Sequence, residues 1–131
     1  MTMESNENFN KGYIPIEPDI YDTLNWDYDL IVLCLEFIRN EIPNIINIEP
    51  DKIEVFLVSF CNFIGQIYPA IGIRSKPEFE ETIKLDFFEI EEQVDNWLAN
   101  IGGIENLKQK AENIKYIDWK TLESLKEYPK Y

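Results

Sequence analysis

Between Ser75 and Asn100 the apolar positions recur at steps of mostly three and four: Phe79, Ile83, Phe87, Ile90, Val94, Trp97 and Leu98. On a helical wheel they fill a wedge about 100° wide, the width of a core-facing stripe. Ser75 and Glu78 have capping-box spacing, and Pro77 falls where the first turn needs no N–H. Glu78, Glu80 and Glu81 then favour a helix N-terminus, and Gly102 and Gly103 would stop the helix. Phe88 lies about 180° from Phe79 on the same wheel. Its helical neighbours there are Glu81, Lys84, Leu85, Glu91, Glu92 and Asp95. Such an aromatic is either packed under a second element or displayed to a partner within an acidic rim.

The remaining pattern predicts four more helices. The first runs from about Asp22 to Glu41, with Pro43 ending it, although the alternation Trp26-Asp27-Tyr28-Asp29-Leu30 also suits a strand. A second, from Pro50 to Tyr68, is apolar nearly all round, as a central helix is. A fourth spans Ile104 to Ile114, and a fifth runs from Asp118 to about Glu127, with Ile117 and Leu122 placed as a hydrophobic staple. Tyr13 to Ile16 is extended on account of Pro15. The tetrapeptide Ile16-Glu17-Pro18-Asp19 returns as Ile48-Glu49-Pro50-Asp51, and both read as proline-marked helix starts. The expected fold is therefore all-α: one irregular bundle of about five helices over residues 13–131, preceded by a flexible polar tail at residues 1–12.

Composition narrows the function. The chain has 131 residues and 45% hydrophobic content, enough for one real core. Its net charge is −13, and eight of the twenty-five acidic residues lie between Lys76 and Asn100. No basic patch offers phosphates a partner, so neither direct nucleic-acid binding nor an anionic membrane surface is expected. The N-terminus lacks the regions of a signal peptide, and no apolar run is long enough to span a membrane. Cys34 and Cys61 sit in apolar runs, which points to reduced structural thiols and a cytoplasmic setting.

Catalytic groups are scarce. There is no histidine, which removes the usual general base and the commonest metal ligand. No cysteine pair has zinc spacing, and the five glycines form no phosphate-binding loop. Carboxylate pairs such as Glu89/Glu92, Glu92/Asp95, Asp27/Asp29 and Asp19/Asp22 could share a cation, but on an acidic helix they read as a solvated face. No enzyme activity, cofactor or metal is expected. Aromatics set among acids (Trp26, Tyr28, Phe88) point instead to a binding module for a basic protein. The expected contact residues are Glu81, Leu85, Phe88, Glu91, Glu92 and Asp95. In general character the chain resembles bacterial immunity proteins and phage-type inhibitors, which implies stoichiometric masking of a partner such as a nuclease or toxin. A DNA-mimic inhibitor of a nucleic-acid-binding protein and a homo-oligomeric structural subunit or adaptor, such as a homodimer, are the alternatives.

Overall fold

The computed structural model describes residues 13–61 and 64–114. They form an α+β fold and not an all-α bundle. The order is β1 (Ile14–Ile16), α1 (Tyr28–Ile46), β2 (Ile53–Cys61), β3 (Ile67–Ser75), α2 (Phe87–Asn100) and α3 (Gly103–Ala111). The three strands make one antiparallel sheet in the order β1-β3-β2. The expected tail at residues 1–12 and the expected helix at 118–127 lie outside the described residues.

The largest correction concerns Pro50 to Tyr68. Only Pro50–Lys52 is helical, as one 3₁₀ turn, and Ile53–Cys61 is a strand paired with β3 along its whole length. Ile53, Val55, Phe56, Val58 and Phe60 are β-branched or aromatic, which suits a pleated surface better than a helix. The strand is apolar on both faces, so it lacks the alternation that would have marked it. Tyr68 to Gly72, expected to end a helix, is the middle of the sheet.

Register explains the core. Ile14 pairs with Ile73 and Ile73 with Val55, while Ile16 pairs with Ile71 and Ile71 with Leu57. These residues share one sheet face because side chains alternate along a strand. There Ile16, Ile53, Leu57, Ile71 and Ile73 join Ile31, Leu35, Ile38 and Ile42 of α1 and Ile90, Val94 and Leu98 of α2 in one buried cluster. Leu107 and Ala111 bring α3 into the same cluster. On the other face Gly72 lies beneath an edge-to-face pair of Tyr13 and Phe56, ring centroids 5.4 Å apart.

Helix boundaries also move. Asp27 caps α1, its carboxylate accepting from the Leu30 N–H at 3.2 Å. Pro43 does not end α1 but sits inside its last turns, because Ile42 and Ile46 on either side are buried and hold the helix to the core. Asn47 in the left-handed conformation closes it, and the Ile48 N–H donates to the Pro43 carbonyl at 3.1 Å. Ser75 and Glu78 form no capping box: Ser75 ends β3, and Pro77–Phe79 is a 3₁₀ turn with no side-chain cap. The helix starts ten residues later than the Pro77 expectation, at Phe87, because Asp86 supplies the cap by accepting from the Glu89 N–H at 2.9 Å. Phe79 and Ile83 therefore leave the stripe, which keeps Ile90, Val94 and Leu98 as its buried members. Trp97 is half-buried and stacks on Phe37 at 6.2 Å.

A methyl group at Gly72 would come within 2.7 Å of Phe56 and 3.1 Å of Tyr13. Gly72→Ala should therefore destabilise the fold by about 1–3 kcal/mol through overpacking. A urea denaturation midpoint that falls while the slope stays constant is the expected result.

Candidate protein-binding surface

The residues expected to surround Phe88 do not share one helical face. Glu81 is exposed in the turn after the 3₁₀ segment, and Leu85 is half-buried against the core in the extended stretch before α2. Phe88 itself is 79% exposed in the first turn of α2. It meets Phe87 edge to face at 5.1 Å, and Phe87 packs against the core, so Phe88 is the projecting member of the pair. Glu92 is exposed one turn further on.

Glu91 and Asp95 have a different job. The Glu91 carboxylate accepts a hydrogen bond from the Glu17 backbone N–H at 3.1 Å. The Asp19 backbone amide favours the ionised form of Asp95. Glu91 thus ties the segment that leaves β1 to α2. Burial raises the Glu91 carboxyl above its ordinary value; the Glu17 N–H opposes that rise, while the nearby Glu17 and Asp95 carboxylates add to it. Asp95 is raised in the same direction, first by burial and then by Asp19.

Next to this clamp is an aromatic cluster that the sequence did not reveal. Tyr21 and Trp26 stack at 5.1 Å with 25° between their planes. Tyr68 stands edge-on to both, at 5.3 Å and 5.8 Å, and Phe60 stands edge-on to Tyr68 at 5.8 Å. The Tyr21 hydroxyl donates to the Pro69 carbonyl at 2.7 Å, and the Tyr68 hydroxyl donates to the Glu17 carboxylate. Burial drives both phenols well above their ordinary range, and at Tyr68 the bond to Glu17 adds to the rise. Tyr21 and Tyr68 are buried, whereas Trp26 is 44% exposed. Of Trp26 and Tyr28, singled out as aromatics among acids, both are exposed. Nothing marked Tyr68 as their neighbour, since it is forty-two positions from Trp26 and the pairing of β1 with β3 brings the two segments together.

Elsewhere the chemistry is already matched. A shallow cavity of about 500 Å³ beside the end of α1 contains Lys52, which pairs with Glu49 at 3.2 Å and lies over the Phe79 ring at 5.7 Å. Among the described residues no group of three or more Cys, Asp or Glu is placed to hold a metal ion. No described helix is long and apolar enough to cross a membrane. Cys34 and Cys61 are not joined in a disulfide; Cys34 is buried in α1, and Cys61 is half-buried at the end of β2, not in a helix.

No family model matches the chain, and neither the curated proteins nor the solved structures contain a match to it.

Burial pushes the Cys34 thiol up to about 11. At neutral pH Cys34 should resist iodoacetamide until the chain unfolds, since the thiolate is the nucleophile; mass spectrometry of labelled peptides, with and without denaturant, reads this. Because the folded pKa of Glu91 is raised, its stabilising contribution is fully present below the ordinary 4.5 and is lost as pH rises through the folded value. Glu91→Gln keeps an acceptor for the Glu17 N–H but carries no charge. The variant should gain stability over wild type at pH 7 and lose that advantage as pH falls to about 4. Chemical denaturation across that range would show the two curves converging at the acid end.

Proposed function

We propose that the chain is a non-enzymatic protein-binding module that masks a basic partner. The observation that carries this reading is Phe88, which leaves 79% of its surface in water at the start of α2 with Asp86, Glu89 and Glu92 around it. A large exposed aromatic contributes little to the fold, yet it can become an anchor when a partner covers it. The surrounding carboxylates attract a basic surface and repel an acidic one. The net charge of −13 argues the same way, as it speeds encounter with cations and opposes contact with phosphates. A reducing cytoplasm suits two cysteines that are not joined in a disulfide.

Phe88→Ala should leave the circular-dichroism melting curve nearly unchanged, since the side chain is mostly solvated. It should weaken binding of the partner captured from the native host by about 2 kcal/mol, mainly through faster dissociation. Glu92→Lys should slow association instead, most at low salt. A folded Phe88→Ala variant that keeps full affinity would overturn the proposal.

A further inference from the structure

Around the aromatic cluster the molecule carries a second exposed apolar surface. Trp26 is 44% exposed and Tyr28, two residues on, 38%. Trp26 is also held in an unusual backbone. Its φ is +55°, in the left-handed region, and that of Asn25 is +54°. Bulky residues adopt this conformation at a cost, and the surroundings must enforce it. Here the enforcement is visible. The Trp26 N–H donates to the Tyr21 carbonyl at 3.0 Å, its indole Nε1–H donates to Asp22 at 2.9 Å, and its ring stacks on Tyr21. The indole is thus fixed before anything arrives, with one face against Tyr21 and part of its surface open to solvent.

Among the described residues from Tyr13 to Ile38 and from Ile53 to Ile73, every charged side chain is a carboxylate. No lysine or arginine occurs between Tyr13 and Ile38, or between Ile53 and Ile73. Glu17, Asp19, Asp22, Asp27 and Asp29 lie in the loop that presents Trp26 or in the first turn of α1. The Glu17 carboxylate receives the Tyr68 hydroxyl on Oε1, and the Glu91 carboxylate receives the Glu17 N–H on Oε2. Each carboxylate keeps a second oxygen beside the aromatic cluster. A second copy of the chain would bring the same uncompensated charge to this surface, so the charge argues against a homodimer here. Polyanions are disfavoured on the same ground.

We propose that this surface docks an arginine-bearing apolar segment of a basic protein, with the guanidinium stacked on Trp26 and paired with Glu17. A guanidinium is planar, weakly hydrated and able to lie on an indole face while its N–H groups meet a carboxylate. Apolar residues beside it would cover Tyr28. The proposal rests on the reading of the chain as a binder of basic proteins and gives that partner a chemical form.

The test uses the full chain, a synthetic peptide of alternating arginine and leucine, and its lysine counterpart, with nuclear magnetic resonance and titration calorimetry. Trp26→Phe identifies the Trp26 indole N–H resonance by its loss. The arginine peptide should shift that resonance and bind roughly fivefold or more tightly than the lysine peptide, because only the guanidinium stacks as a plane. Trp26→Leu keeps apolar bulk without the π face and should weaken the arginine peptide about tenfold. Glu17→Gln, which leaves an acceptor for Tyr68, should weaken it several-fold even where Trp26→Leu unsettles the loop. Equal binding of the two peptides, no movement of the Trp26 resonance, or full affinity in Glu17→Gln would overturn the proposal. So would a dimer in sedimentation that Trp26→Leu dissolves. Phe88→Ala is measured beside them. Loss of peptide binding through Phe88→Ala alone would sink this proposal and leave the Phe88 reading standing, whereas loss through Trp26→Leu and Glu17→Gln alone supports it independently of Phe88.

Discussion

Strand β3 is the constraint from which the described structure follows. It is hydrogen-bonded on both sides, and Tyr68 to Ile73 are buried without a break. A backbone so enclosed must satisfy its polar groups within the sheet, and β1 and β2 do this. One face of β3 presents Ile71 and Ile73 to the helices, and the other presents Gly72 and Tyr68 to rings from β1, β2 and the loop before α1. The position of Trp26 is a consequence of that second face: Tyr68 provides its wall, and Tyr21 is tied to β3 through the Pro69 carbonyl.

The acidic residues divide into two populations. Some are structural acceptors. Asp27 and Asp86 cap helices, Glu91 holds the loop after β1, and Glu36 pairs with Arg39 on α1. Others, such as Glu92 and Asp29, are exposed and add field without holding anything in the described structure. The second group is fully free to answer a partner and the first is not, so the net charge overstates the number of carboxylates available for recognition. Glu17 and Glu91 belong partly to both, since in each one carboxylate oxygen accepts a bond within the fold and the other does not.

Legibility in the sequence followed the length over which each element stays periodic. Ile90, Val94 and Leu98 lie on a true helical stripe, and Gly102 and Gly103, both with positive φ, mark its end as expected. The spacing extends the stripe too far upstream because Phe79 and Ile83 fit it by chance, and the local cap at Asp86 overrides it. The pattern of β2 also suits a helix because it is apolar on both faces, as a buried helix is; its β-branched and aromatic content is the better signal. Exposure of Phe88 could not be decided from the wheel, since the same spacing fits a helix packed on two sides. The Tyr21, Trp26 and Tyr68 assembly is illegible for a different reason: it depends on the pairing of β1 with β3, two distant segments, and no local spacing encodes that.

Arg39 has a consequence beyond its ion pair. It reaches from α1 to the Val55 carbonyl on β2 at 3.4 Å, while its Nε donates to Glu36 at 2.8 Å. β2 is the outer strand of the sheet, nine residues long and rich in the residues that promote cross-strand addition. A guanidinium over an edge carbonyl occupies the place an incoming strand's N–H would take. Its anchor, Glu36, is buried in α1, so the block is fixed to the fold and does not wander as an exposed lysine would. The same helix that fills the core therefore also occupies a carbonyl on the outer edge of β2 and withholds that acceptor from an incoming strand.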